Sequence, residues 1–132
     1  MQIAQLARLA SEASDPNTFV GRARLTRLPG LSDDPAVHGF RVEFQPAART
    51  NWHTHSGPQL LIVVAGTCRL QKDGEAVIEL ASGDVACIAP GERHWHGASP
   101  DGPMTHVAIN ISSRTTWLEP VSDAEYSATD AA

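Results

Sequence analysis

Alternation of apolar and polar residues is the feature that most limits what this 132-residue chain can fold into. Phe40, Val42 and Phe44 alternate with Arg41 and Glu43. A period of two places successive side chains on opposite faces, as in a β-strand with one buried face. Ten glycines and nine prolines are spread along the chain, which is typical of short strands joined by turns. We therefore expect an all-β sandwich or barrel.

Six further segments alternate in the same way or are continuously apolar, and we expect each to contain a strand. They are residues 19–28, 59–70, 76–80, 84–89, 94–98 and 104–111. Asp73 and Gly74 lie between two of these segments, and an Asp-Gly pair favours a hairpin turn.

The two ends of the chain have a different pattern. Residues 3–13 carry apolar side chains at helical spacing, which predicts one short helix or a frayed arm. A second short turn or helix is expected around residues 122–126. We therefore divide the chain into an N-terminal arm or short helix (residues 1–16), a barrel (residues 17–115) and a C-terminal tail (residues 116–132).

Charge and hydropathy exclude several classes of partner. The net charge is −5 and the chain has one lysine, Lys72. No basic cluster is present, which argues against binding to nucleic acid or to an anionic membrane surface. The longest apolar run, residues 60–65, is far too short to span a bilayer. The first residues lack the pattern of a secretory signal, so we expect a cytoplasmic protein.

The two cysteines, Cys68 and Cys87, lie in apolar stretches. We interpret them as two small buried thiols of a cytosolic protein. One disulfide between them is the alternative.

Five of the six histidines fall into three groups: His53 with His55, His94 with His96, and His106. Residues i and i+2 of a strand point to the same face. Each pair can therefore direct two imidazoles at one point, from two different strands. Imidazole is a preferred ligand for zinc, iron, nickel, manganese and copper. The spacing favours a metal site.

Two motifs resemble those of the cupin family. Residues 53–66 read HTHSGPQ, then six residues, then glycine, which resembles the first cupin motif. Residues 83–94 read GDVACIAPGERH, which resembles the second. The resemblance implies a double-stranded β-helix (a jelly-roll barrel) that binds one divalent transition metal. The ligands that it implies are His53, His55, Gln59 and His94.

Four stretches resemble, more narrowly, the small bacterial cupins that act as manganese-dependent hydroxynitrile lyases. They are residues 48–55, 90–98, 104–109 and 117–126. The resemblance implies manganese as the metal, with zinc, iron, nickel or copper as alternatives. It also implies that a cyanohydrin is the substrate.

Several positions depart from the pattern of the family. Most cupins have Glu at position 59, although the lyase-like group shares Gln59. Ala89 stands where a proline is expected. Phe40, Cys87 and Asn110 stand where the lyases are expected to have a small residue, Trp and Gln. Because these three positions are expected to line the pocket, they bear on which substrate fits.

Gln59 leads to a hypothesis about the metal. Three neutral imidazoles and an amide oxygen leave the full charge of a divalent cation uncompensated, whereas a Glu ligand would offset part of it. We expect Gln59 to make the metal a stronger Lewis acid, and so to favour non-redox chemistry over oxygenation.

The remaining candidates follow from strand parity. His106, Ala108 and Asn110 share one face of the last long strand. His106 is an extra imidazole beside the metal site, and we interpret it as a general base. His96 is expected to orient the ligands or the substrate, and we group it with His106 as catalytic. The residues expected to line the substrate pocket are Phe40, Val42, Phe44, Leu61, Val63, Cys87 and Asn110.

The opposite face of the last long strand carries Val107, Ile109 and Ile111. An all-apolar outer face suggests burial in a second interface, so we expect a homodimer or a homotetramer.

The sequence leaves two interpretations of the function open. The first is an enzyme acting on a small organic molecule: a hydroxynitrile lyase, or else a dioxygenase, decarboxylase or isomerase. The second is a non-catalytic cupin that binds a small ligand. A vacant position on the metal would favour catalysis.

Overall fold

The computed structural model describes residues 1–129, so the end of the expected tail, residues 130–132, lies outside the described residues. Within that range the chain forms fourteen strands, one 3-10 turn (Leu6–Arg8) and one helix, α1 (Asp123–Ser127). The strands are β1 (Ser11–Ala13), β2 (Phe19–Val20), β3 (Ala23–Arg27), β4 (Ser32–Asp33), β5 (Ala36–Phe44), β6 (Arg49–Thr50), β7 (His53–His55), β8 (Gln59–Ala65), β9 (Cys68–Lys72), β10 (Ile78–Leu80), β11 (Val85–Ile88), β12 (His94–Ala98), β13 (Met104–Ile111) and β14 (Thr115–Trp117). The expected all-β architecture is confirmed.

The strands form two antiparallel sheets. The first has the order β1-β3-β5-β13-β8-β11, with β4 beside β5. The second has the order β10-β9-β12-β6-β2, and β7 connects β12 to β14. Neighbours in each sheet are often distant in sequence, so the chain crosses repeatedly between the sheets. The inner faces of the two sheets enclose the core and the histidines.

The core lies between the sheets. Phe44 and Val63 of the first sheet pack in one cluster with Phe19 and Leu70 of the second. Strand β8 shows how alternation places side chains: Gln59, Leu61 and Val63 are buried, and the residues between them are more exposed. Burying large apolar side chains contributes about 1.5–3 kcal/mol each.

Gly66 ends β8 at a position that other residues fit poorly. Its φ is +75°, a conformation that costs glycine little. A Cβ atom at this position would lie 2.1 Å from the carbonyl oxygen of Pro103. The absence of a side chain therefore lets the start of β13 approach the end of β8.

The N-terminal segment, for which a short helix or a frayed arm was expected over residues 3–13, forms no α-helix. It contains only the 3-10 turn, and then β1 pairs with β3 at the edge of the first sheet. Ile3 and Leu6 stay exposed, so no apolar face is buried that could stabilise a helix. The free edge of β3 offers backbone hydrogen bonds in its place.

The C-terminal segment is attached to the second sheet. Strand β14 pairs with β7 and crosses the expected boundary between residues 115 and 116. The expected helix around residues 122–126 is present as α1, and Ser122 and Glu125 form a capping box at its start. Arg49 donates to the carbonyl oxygen of Val121 at 2.6 Å. Tyr126, in α1, donates to the carbonyl oxygen of Ala98.

No helix within residues 1–129 is long and apolar enough to cross a membrane.

Candidate metal centre and active-site cavity

Three imidazoles converge between the sheets. His94 and His96 share one face of β12, and the pairing of β7 with β12 places His53 opposite His94. One ring nitrogen from each of the three lies within 4.8 Å of the other two. None of the three side chains is more than 4% exposed. This group could hold a metal ion.

Hydrogen bonds determine the tautomer of two of these rings. The Nδ1 atom of His53 lies 2.8 Å from the carbonyl oxygen of Asn51, and that of His94 lies 2.8 Å from the carbonyl oxygen of Glu92. A carbonyl oxygen only accepts, so both Nδ1 atoms carry the proton. The Nε2 atoms are therefore lone-pair donors, as a metal ligand must be. The Nε2 atom of His94 is buried without a partner.

His55 and Gln59 each have one polar atom with a partner in the protein and one without. The Nδ1 atom of His55 lies 3.0 Å from the Oγ1 atom of Thr115, and its Nε2 atom is buried without a partner. The Nε2 atom of Gln59 donates to the Oδ1 atom of Asn110 at 2.8 Å, and its Oε1 atom is buried without a partner. Buried acceptors left unpaired cost about 1–3 kcal/mol each. These nitrogen and oxygen atoms fit a divalent transition metal.

Burial keeps these imidazoles neutral. It lowers the pKa of His55 to about 4, and the neighbouring His94 contributes to the shift. It also lowers the pKa of His53 and of His94, although the carbonyl group and the charge of Glu92 act in the opposite direction on His94. Neutral rings bind a cation at pH 7 without first releasing a proton.

His96 and His106 form a hydrogen-bonded pair beside this centre. The Nδ1 atom of His96 lies 2.9 Å from the Nε2 atom of His106. Burial lowers the pKa of His106 to about 4 and the pKa of His96 well below its usual value. The remaining nitrogens, Nε2 of His96 and Nδ1 of His106, are buried without partners. In either tautomer of the neutral pair, one of these two nitrogens is a free base.

An apolar cavity of about 180 Å³ opens onto these histidines. The structure places Phe40, Val42, Phe44 and Asn110 on its wall, together with His96 and His106. Gln59, His53 and His55 also reach it. The cavity is lined by Phe19, Leu25, Phe40, Val42, Phe44, Thr50, His53, His55, Gln59, His96, His106, Ala108, Asn110, Thr115 and Trp117.

Three of the residues expected in the pocket lie elsewhere. Leu61 and Val63 are buried in the core rather than on the cavity wall. Cys87 is exposed on β11 and lines a separate cleft, which also contains His94 and Lys72. The expectation that Cys87 is buried was wrong because its neighbours in β11 are the side chains that face the core. The two cysteines are not joined by a disulfide.

Six residues of the cavity wall are not among the pocket residues expected from the sequence: Phe19, Leu25, Thr50, Ala108, Thr115 and Trp117. The ring centroid of Trp117 lies 4.7 Å from that of His53. Trp117, Thr50 and Ala108 stand in stretches that resemble the lyases, which was the available signal. The others reach the cavity only through pairing of distant strands.

Comparison with known proteins identifies the family. A family model described as a cupin domain matches residues 40–110, which is more than half of the chain. The chain belongs to the cupin family. The two cupin motifs carry four of the converging side chains, His53, His55, Gln59 and His94, and His96 lies two residues beyond the second motif.

One cupin relative is similar along nearly the whole chain. It is the (R)-mandelonitrile lyase of Granulicella tundricola, which is 42% identical over 129 residues. The alignment covers 96% of this cupin and 98% of that protein. The resemblance to cupin-type hydroxynitrile lyases is therefore confirmed.

Solved structures confirm the double-stranded β-helix. A cupin-like protein from Thermotoga maritima has a TM-score of 0.83 and 31% identity, and the match covers 93% of this chain and 95% of that one. The polyketide cyclase RemF from Streptomyces resistomycificus has a TM-score of 0.69 and 19% identity, with 96% and 90% covered. The second likeness concerns the fold alone.

Proposed function

We propose that this cupin is a metal-dependent lyase that cleaves and forms cyanohydrins with a small aromatic or aliphatic group. The observation that carries the proposal is a set of buried, unpartnered nitrogen and oxygen atoms that opens into an apolar cavity beside a histidine pair. The similarity to a relative named (R)-mandelonitrile lyase supports the same reaction.

The ligands that we propose are His53, His55, Gln59 and His94. In each of them the other polar atom of the side chain already has a partner in the protein, which orients the free atom. When bound, a divalent metal would supply Lewis-acid stabilisation of negative charge on the substrate oxygen. We propose manganese, which is the metal implied by the resemblance of the sequence to the manganese-dependent hydroxynitrile lyases.

The base that we propose is the pair of His96 and His106. Sequence parity pointed to His106 alone, with His96 in a supporting role. The hydrogen bond between them makes the pair one unit with a single free basic nitrogen. A low pKa leaves that nitrogen unprotonated at neutral pH, so it is available to accept a proton from a substrate hydroxyl.

Cleavage of a cyanohydrin needs no reagent besides the substrate and the histidine pair. The cyanohydrin hydroxyl gives its proton to the histidine pair while its oxygen keeps the electron pair and forms the carbonyl group. The carbon–carbon bond to the nitrile breaks, and its electrons leave with cyanide. The pair then returns the proton, which yields hydrogen cyanide and an aldehyde. The apolar walls formed by Phe40, Val42 and Phe44 hold the organic group and exclude water.

Cyanide release from mandelonitrile by protein loaded with manganese tests the proposal. We expect turnover that is lost on chelation, restored by manganese, and reduced at least about a hundredfold in His106→Ala. Absence of cyanide release, or an unchanged rate in His106→Ala, would contradict it. Oxygen uptake by iron-loaded protein in place of cyanide release would favour the dioxygenase alternative.

A further inference from the structure

Asn110 contacts the one non-histidine member of the proposed ligand set. In the pairing of β13 with β8, Asn110 lies directly opposite Gln59. The two amides form a hydrogen bond of 2.8 Å, from Nε2 of Gln59 to Oδ1 of Asn110. Directly opposed side chains of an antiparallel pair lie close enough to interact.

The two ends of a glutamine amide have opposite chemistry. The Oε1 atom is an acceptor and could bind a cation, whereas the Nε2 atom carries two protons and would repel one. The orientation of the amide therefore decides whether Gln59 can be a ligand. An acceptor beside the Nε2 atom holds the amide in one orientation, and Asn110 supplies that acceptor.

The same hydrogen bond orients Asn110. Because its Oδ1 atom faces Gln59, the Nδ2 atom of its planar amide faces the other way. Asn110 is part of the cavity wall and is only partly buried. The two N–H groups of this atom could therefore donate to a ligand in the cavity, beside the candidate metal centre.

We propose that Asn110 has two roles: it positions the amide oxygen of Gln59 toward the metal, and it donates a hydrogen bond to an acceptor atom of the substrate. The inference rests on the metal site of the proposed function and adds a requirement on the substrate. Molecules that gain this hydrogen bond must carry an acceptor, such as a nitrile nitrogen or a carbonyl oxygen, on the side of the cavity that Asn110 occupies.

The positioning role is tested by manganese binding in the absence of substrate. In Asn110→Leu the Gln59 amide loses its acceptor, and we expect manganese affinity to fall about tenfold. In a Gln59→Glu background both carboxylate oxygens can bind the cation, so the same change should cost about twofold or less. Asn110→Gln keeps both amide ends and should retain most of the affinity.

A merely structural role predicts a different result. It would lower manganese affinity and the apo-protein melting temperature equally in the two backgrounds. Equal losses, or no loss in Asn110→Leu, would overturn the positioning role. If the unmodified protein binds no manganese, the proposed function itself fails, which is a distinct outcome.

The donor role is tested by calorimetry at saturating manganese with two ligands of similar shape. Benzaldehyde carries a carbonyl acceptor, whereas toluene carries none. We expect Asn110→Leu to weaken benzaldehyde binding about fivefold and to leave toluene binding unchanged. Equal effects on the two ligands, or unchanged benzaldehyde binding, would overturn the donor role. Because binding is measured directly, the result stands even if the protein cleaves no cyanohydrin.

Discussion

At the scale of the residue, the site depends on which atom of each side chain already has a hydrogen-bond partner. His53 and His94 give their Nδ1 protons to carbonyl oxygens and keep Nε2 free. Gln59 gives its Nε2 proton to Asn110 and keeps Oε1 free. Neighbouring hydrogen-bond acceptors thus orient these side chains so that the lone pair of the free atom could bind a cation.

Substitution of Gln59 by Glu tests the charge at the metal. A carboxylate offsets one unit of positive charge, so we expect Gln59→Glu to bind manganese more tightly. The same charge weakens the Lewis acid, and cyanide release should fall at least about tenfold. Metal titration and kinetics on the same preparation check both effects. Unchanged activity in the variant would contradict the role assigned to the amide.

Two alanine variants distinguish the possible sets of three histidines. The ring nitrogens of His53, His94 and His96 are mutually close, whereas the proposed ligand set contains His55 in place of His96. We expect His55→Ala to lower manganese affinity at least about tenfold and His96→Ala to retain it while losing cyanide release. Elemental analysis after dialysis measures the bound metal. The reverse pattern would assign His96 to the metal.

At the scale of the element, β14 connects the C-terminal segment to the candidate metal centre. It pairs with β7, so that Thr115 lies opposite His55 and Trp117 opposite His53. Thr115 hydrogen-bonds to His55, and Trp117 packs over His53. A strand outside the two cupin motifs thereby orients two histidines within the first motif.

Thr115→Val tests this connection. Valine keeps the shape of threonine but cannot hydrogen-bond to the Nδ1 atom of His55, so the ring loses the partner that orients it. We expect manganese affinity to fall about tenfold, within the range for substitutions that remove such a partner. Thr116→Val is the matched control, because Thr116 lies on the opposite face of β14. Equal affinities in the two variants would contradict the role of Thr115.

At the scale of the whole molecule, five imidazoles share one buried centre. Burial lowers the pKa of each of them. In the unfolded chain each ring titrates near 6.5. Below that pH the unfolded chain binds protons that the folded apo-protein does not. The free energy of unfolding therefore decreases as the pH falls from about 6.5 to about 4.

Thermal unfolding of the apo-protein between pH 7.5 and 4.5 tests this linkage. A single buried ring whose pKa is lowered to about 4, such as His106, contributes about 3 kcal/mol across that window. We expect the melting temperature to fall by about 10 °C or more on acidification. His106→Gln should flatten the profile. A melting temperature that does not change between pH 7 and 5 would contradict the expectation.

The outer face of the first sheet leads to a prediction about assembly. Its apolar rows run across three strands in register, with Val85 opposite Ile62 and Ile62 opposite Val107. Val85 and Val64 remain 54% and 43% exposed. Large apolar patches usually mark interfaces, and antiparallel strands can pair face to face across a two-fold axis.

We expect a second copy of this chain on that face, which gives a dimer or a tetramer. Light scattering after gel filtration measures the mass of the particle. Val64→Glu should shift it toward the monomer, whereas Thr116→Glu, on the second sheet, should not. A monomeric unmodified protein would contradict the prediction.

Strand positions could be predicted from the sequence because strand parity is a local property. The alternation in β5 and β8 and the spacing of His53 with His55 depend only on neighbouring residues. The prediction that Cys87 is buried was wrong, because β11 is a short edge strand with too few residues to show which of its faces is buried. Of the two alternatives for residues 3–13, the short helix is absent because a helix of that length needs a surface to pack on.

The all-β fold, the two cupin motifs and the histidines that could bind a metal can thus be predicted from local sequence patterns. Only the folded chain shows which side-chain atoms lack partners, that His96 and His106 are hydrogen-bonded to each other, and that Thr115 and Asn110 hydrogen-bond to His55 and Gln59 on other strands. The physical reason is that a hydrogen bond between residues such as Gln59 and Asn110, 51 positions apart, depends on strand register. Register is set by the packing of the whole barrel rather than by either residue alone.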